Sequence, residues 1–86
     1  MKVDYSEGAR KQLKKLDTSV RKRILDYMDE VALLDNPRVR GKMLVGSLLG
    51  FWRYRIGAYR VLCKIIDTTM VIFVVDIGHR KEVYDG

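Results

Sequence analysis

The sequence predicts an α+β domain: a short N-terminal strand, an antiparallel helical hairpin, then an antiparallel sheet of three to four strands. Three observations carry the prediction. Val20, Ile24, Tyr27, Met28, Val31 and Leu34 keep an apolar stripe at helical spacing. From Phe51 to Ile56 the residues are aromatic or β-branched except for Arg53 and Arg55, an alternation of period two. Met70 to Val75 is nearly all apolar, as a central strand covered on at least one face is. Strands that follow a pair of helices, rather than alternating with them, place the helices on one face and leave the other free.

The elements follow in order. Val3 and Tyr5 alternate with Lys2 and Asp4, a short strand suited to a sheet edge. Ser6 then Glu7 reads as a helix start, with a hydroxyl cap and an acid in the first turn. Ala9, Leu13 and Leu16 mark one helical face, and Arg10, Lys11, Lys14 and Lys15 lie off it. Asp17 or Thr18 caps the second helix, which Asn36-Pro37 stops. The short connection makes the two helices an antiparallel hairpin laid on the sheet. Between Gly41 and Gly50, Lys42-Met43-Leu44-Val45 reads as one more short strand.

Trp52, Tyr54 and Ile56 then share one face, and Arg53 and Arg55 the other. Gly57-Ala58 fits a two-residue type II′ turn, with Gly at the first central position. That turn pairs Ile56 with Tyr59, Arg55 with Arg60, Tyr54 with Val61 and Arg53 with Leu62. Arg55 and Arg60 then face each other with Cβ atoms about 5 Å apart, which is unfavourable unless an anion lies between them. Asp67-Thr68-Thr69 makes the next hairpin, and the return strand brings Ile77-Gly78 beside Tyr59-Arg60. His79, Arg80 and Tyr84 therefore emerge at the same end of the sheet as Arg55 and Arg60.

Eighty-six residues make one domain, spanning 1–86. With 33% charged and 48% hydrophobic residues the chain reads as soluble and globular, not disordered. It has no apolar run of the roughly 20 residues a membrane span needs and no signal-peptide core after Met1. A cytoplasmic protein without a membrane partner is expected. The single Cys63 excludes an internal disulfide and reads as a small buried hydrophobe. A net charge of +6 points to nucleic acid first and to an acidic protein partner second.

One His and one Cys leave no zinc site, and Asp67 and Asp76 stand too far apart to pair on magnesium. There is no glycine-rich phosphate loop, and Ser6, Ser19 and Ser47 have no His nearby in sequence. No metal or cofactor is therefore expected. What remains is a set of arginines, one histidine and a tyrosine converging on one end of a sheet. Such a set suits RNA cleavage by the substrate's own 2′-hydroxyl, which needs a base, cations around the phosphorane and help for the leaving 5′-oxygen. Arg53 and Arg55 supply planar donors for phosphate, joined by Lys64 and Lys81. A guanidinium is a poor base, so proton removal falls to His79 or to a Tyr84 whose phenol is acidified by neighbouring cations. Trp52 and Tyr54, on the other face, belong to the core.

Trp52-Arg-Tyr-Arg, Gly57-Ala-Tyr-Arg-Val-Leu and Gly78-His-Arg-Lys-Glu-Val-Tyr84 resemble the RelE group of the RelE/ParE toxin superfamily over nearly the whole chain. The resemblance implies a RelE-like fold and a bacterial toxin paired with an antitoxin. It further implies metal-independent cleavage of mRNA in the ribosomal A site. Position by position, it implies that Arg53 and Arg55 hold the phosphate and that Arg60 stabilises the transition state. Arg80 then stands at the leaving group, and Tyr84 orients or activates the 2′-hydroxyl. His79 stands where other members have lysine. The antitoxin would cover these cations with an acidic or amphipathic segment, and DNA would be met only through the toxin–antitoxin complex. Two departures stand out. Ala58 replaces an Asp that many relatives carry, and Arg55 can supply charge but not the proton transfer a lysine could. The sequence also stops at Gly86, which on this resemblance leaves no helix after Tyr84 for an antitoxin to displace. Two other readings are a ParE-like toxin that inhibits DNA gyrase by binding, and an inactive member that only binds an antitoxin or nucleic acid.

Overall fold

A computed structural model describes residues 1–79. The chain runs β1 (Lys2–Tyr5), α1 (Glu7–Lys14), α2 (Thr18–Leu33), β2 (Lys42–Met43), β3 (Trp52–Ile56), β4 (Tyr59–Ile66) and β5 (Val71–His79), with 3-10 turns at Pro37–Val39, Gly46–Leu48 and Asp67–Thr69. Both helices start where their caps predict. The Ser6 hydroxyl accepts from the Ala9 N–H at 3.0 Å, and Asp17 Oδ2 accepts from the Ser19 N–H at 3.2 Å. Those bonds from Ser19 hold the Asp17 carboxyl below its usual range. α2 ends at Leu33, and its C-cap Leu34 has an extended backbone that leads into Asn36-Pro37.

One sheet in the order β1-β5-β4-β3-β2 carries the fold. β2 to β5 form the antiparallel meander that the alternation predicts, and β1 adds a fifth strand at the far edge, parallel to β5. α1 rests on β5 and β1, and α2 against β1 and β3. Ala9, Leu13, Ile24, Met28 and Val31 from the helices meet Tyr54, Ile56, Val61, Cys63, Ile72, Val74 and Ile77 from the sheet. Cys63 is wholly buried there, and burial pushes its thiol pKa up, so it acts as a small hydrophobe.

Tyr54 ties this core to the connection after α2. Its ring is fully buried, meets Tyr27 edge-on at 6.1 Å, and its hydroxyl donates to the Pro37 carbonyl at 2.7 Å. Tyr54→Phe strands that carbonyl, so a loss of about 1–2 kcal/mol in denaturant unfolding is expected.

Three features depart from the pattern expected of the sequence. The face away from the helices is not wholly free. Leu44 and Leu62 are buried on it with Leu48, Phe51 and Val75 around them, because the Leu44 N–H bonds the Phe51 carbonyl at 3.0 Å and closes residues 44–51 over the sheet. For the same reason the strand expected over residues 42–45 stops at Met43. The turn after β4 is a 3-10 turn closed by Met70 in the left-handed region, φ 57°, so β5 starts one residue later than the apolar run. The third feature is a bulge. Leu62 pairs with Asp76 but Cys63 with Val74, so Val75 is an extra residue in β5.

Candidate active site

The β3–β4 hairpin has the register that its turn predicts: Ile56↔Tyr59, Arg55↔Arg60, Tyr54↔Val61 and Arg53↔Leu62. Gly57 takes φ +59° and Ala58 does not follow it into positive φ, the type II′ signature. A Cβ on Gly57 would stand 3.0 Å from Nη2 of Arg23, so the turn is also pressed against α2. With Tyr54 and Ile56 in the helix-side core, Arg53, Arg55 and Arg60 share the opposite face.

Two of these arginines are unusual in being buried. Arg53 is 6% and Arg60 7% exposed, whereas Arg55 is exposed. The Leu44–Leu62 cluster stands on the same face and borders Arg53 through its cross-strand partner Leu62. Burial, and then the charges of Arg55 and Arg60, hold the Arg53 guanidinium below its ordinary pKa. Arg53 thus senses the other two cations in a partly dry setting, where an added anion gains more than it would in water. Fork-shaped donors from two neighbouring strands suit the oxygens of one phosphate, and more so a phosphorane carrying extra charge.

Beside the cluster, a depression of about 420 Å³ is lined by Tyr27, Gly41, Lys42, Arg53 and Arg55. A second, of about 370 Å³, is lined by Arg23, Asp26, Tyr27, Glu30, Arg55, Ile56 and Gly57. They share Tyr27 and Arg55, and so the ground next to the cations continues over the edge of β3 to α2. Its carboxylates are paired: Lys22 reaches Asp26 at 2.7 Å and Arg40 reaches Glu30 at 2.6 Å, with the Arg40 guanidinium 5.4 Å from the Tyr27 ring centre. Tyr27, Arg23 and Lys42 were not legible as site residues. Tyr27 reads as part of the core stripe, and only its place at the margin of that stripe, half-buried where Ile24, Met28 and Val31 are buried, marks it out.

The other expected residues fall differently. Lys64 is on the arginine face, four residues along β4 from Arg60, roughly 13 Å away. Its ammonium lies 4.9 Å from the Phe51 ring centre. His79 is at the same end of the sheet as Arg60 but pairs with Tyr59, with the two rings edge-on at 5.7 Å. It lines a pocket of about 320 Å³ with Gln12, Lys15, Leu16, Tyr59, Ile77 and Gly78, on the helix side. The bulge is the reason: it shifts the alternation of β5 by one residue, so Gly78 comes opposite Arg60 and His79 opposite Tyr59. Arg80, Lys81 and Tyr84 lie outside the described residues. Among the described residues, no three His, Cys, Asp or Glu side chains gather at a metal-holding distance.

Comparison with known proteins fits this geometry. The family model for the ParE toxin of the type II parDE toxin–antitoxin system matches residues 3–84. The mRNA interferase toxin RelE of Escherichia coli is 33% identical over 85 residues, which is 95% of this chain and 87% of that protein. The RelBE2 toxin–antitoxin complex of Mycobacterium tuberculosis contains a chain that superposes with a TM-score of 0.71 at 32% identity, over 94% of this chain and 92% of that one. The isolated E. coli RelE toxin gives a TM-score of 0.73 at 25% identity, over 91% of this chain and 82% of that one. On sequence and on structure alike, the chain belongs to the RelE/ParE superfamily of toxins from type II toxin–antitoxin systems.

Proposed function

We propose that the protein is the toxin of a type II toxin–antitoxin pair and a metal-independent endoribonuclease that cuts mRNA in the ribosomal A site. The observation that supports this most is the cluster of Arg53, Arg55 and Arg60, with Arg53 and Arg60 buried and the charges of Arg55 and Arg60 depressing the Arg53 pKa. The similar RelE of E. coli is named an mRNA interferase. In this reading the 2′-hydroxyl oxygen attacks the adjacent phosphorus as its proton leaves, and the bond from phosphorus to the 5′-oxygen breaks. Arg53 and Arg55 hold the phosphate, and Arg60 meets the charge that grows on its oxygens. Tyr84 orients the 2′-hydroxyl and takes its proton. Arg80 stands at the leaving 5′-oxygen. The edge-on contact of His79 with Tyr59 on the helix side favours Tyr84 over His79 as the base.

The site is basic and partly dry, and its natural cover is a cognate antitoxin with an acidic or amphipathic segment. In this reading the protein works in the cytoplasm, and it meets DNA only inside the toxin–antitoxin complex.

An in vitro translation reaction, with primer extension on the message, tests the reading. Cuts within A-site codons are expected with the parent chain. Tyr84→Phe is expected to slow single-turnover cleavage on the order of 10²-fold or more, with ribosome binding little changed. Equal rates would take Tyr84 out of the mechanism. The match to the ParE model keeps one second reading in play, a toxin that binds DNA gyrase without chemistry. Intact message together with blocked supercoiling would select it.

A further inference from the structure

We propose that Gln12, on the last turns of α1, is a positioning residue for the cleavage site and acts through the bulge in β5. The inference rests on the endoribonuclease reading and deepens it. Along β5, Ile72 and Val74 point into the helix-side core. Unbroken alternation would send Asp76 after them and turn His79 toward the arginines. The bulge prevents this: Ile77 rejoins the core, Gly78 stands opposite Arg60, and His79 stands opposite Tyr59. The phase of these residues decides which of them stand beside Arg60 and Tyr59.

A bulge disrupts the ladder locally, and here the ladder is also thin. β1 pairs with β5 only as far as Tyr5↔Val74. Beyond that point α1 takes over the work of a neighbouring strand, residue by residue. The Ser6 N–H bonds the Val74 carbonyl at 2.8 Å, and the Ser6 hydroxyl bonds the Val75 carbonyl at 3.4 Å. Gln12 serves the next two residues with one amide: its Oε1 accepts from the Ile77 N–H at 2.7 Å, and its Nε2 donates to Asp76 Oδ1. Four consecutive residues of β5 are thus stapled to a single helix. The polarity at Gln12 is fixed, because only a carbonyl can accept from the backbone and only the amino group can donate to the carboxylate.

The clamp has a second consequence. Asp76 is paired across the strand with Leu62, the partner of Arg53, so its carboxylate is close in register to the arginine face. Gln12 holds it toward α1. Because Arg53 and Arg55 sit on β3, which does not pair with β5, losing the clamp leaves their hold on the phosphate in place and shifts Gly78 and His79 against Arg60 and Tyr59 of β4.

The test compares the parent, Gln12→Glu, and Gln12→Glu combined with Asp76→Asn, each in single-turnover cleavage on programmed ribosomes. Gln12→Glu still accepts from the Ile77 N–H but sets two carboxylates against each other. A fall in the maximal rate on the order of 10- to 100-fold is expected, with the half-saturating concentration within about twofold of the parent. In the double variant the new amide at 76 donates to the new carboxylate at 12, so that bond returns with reversed polarity while the Ile77 N–H still donates to residue 12, and the rate recovers to within about threefold of the parent. A rate unaffected by Gln12→Glu, or a loss that Asp76→Asn does not restore, overturns the proposal. A purely structural role would lower thermal stability and raise the half-saturating concentration along with the fall in rate. Amide exchange of Ile77 separates the two readings. Should the parent cut no RNA, the endoribonuclease reading fails by itself. The clamp is then judged by whether Ile77 protection drops in Gln12→Glu and returns in the double variant, and unchanged protection overturns it.

Discussion

Arg60→Met is expected to reduce mRNA cleavage by roughly 10²–10³-fold, the cost of removing one preorganised donor from a developing anion. The same substitution is expected to move stability far less, by about 1.5 kcal/mol at most. Arg60 is 7% exposed, it faces Arg55 directly across the strands, and its charge already depresses the Arg53 pKa. Methionine keeps most of the buried volume and removes one of three crowded positive charges, which offsets part of what the lost guanidinium contacts cost. Activity is therefore expected to fall far more than stability. Thermal unfolding read beside the cleavage assay checks both halves. A large drop in Tm would recast Arg60 as a structural residue, and undiminished cutting would remove it from the transition state.

Gly41→Ala is expected to cost about 3 kcal/mol, from backbone strain and clash together, and to lower Tm by on the order of 15 °C in a domain of this size. Gly41 adopts φ +78°, where an L side chain is strained. It has no room either: a Cβ there would lie 2.5 Å from the Arg53 carbonyl oxygen and 2.6 Å from Trp52 Nε1. Trp52 Nε1 also donates to the Arg40 carbonyl at 2.8 Å, so the indole cannot swing aside cheaply. Relief would require β2, paired only through Lys42↔Arg53 and Met43↔Trp52, to pull away from the strand that carries the arginines. Thermal melts of the two proteins measure the loss. A shift of only a few degrees would show that β2 is dispensable to the sheet.

Much of this could be read from local rules. Gly57 set the hairpin, the hairpin set the register, and the register put three arginines on one face and Trp52, Tyr54 and Ile56 on the other. Helix starts at Ser6 and Asp17 followed from side chains able to satisfy orphan N–H groups. What stayed hidden was non-local. From Met70 to Val75 nearly every residue is apolar, so the run has no phase, and nothing in it announces a bulge at Val75 or the turn of His79 toward Tyr59. Leu44, Leu48 and Phe51 follow no period among their glycines, so their closure over the second face was invisible. So was the burial of Arg53 and Arg60 on that face. Tyr27 and Arg23 join the site's surroundings only because α2 passes beside β3, a matter of packing and not of motif.

The pairing of β1 with β5 has a bearing on the moment of synthesis. Lys2 sits beside Val71, so the first strand made must wait for the last one before it finds its neighbour. Contacts that distant in sequence are slow to form and come late. A nascent chain emerging from the ribosome carries its helices and its arginine hairpin ahead of a finished sheet. The newborn protein therefore passes through an interval in which the end of the sheet where Gly78 and His79 meet Arg60 and Tyr59 is still unassembled.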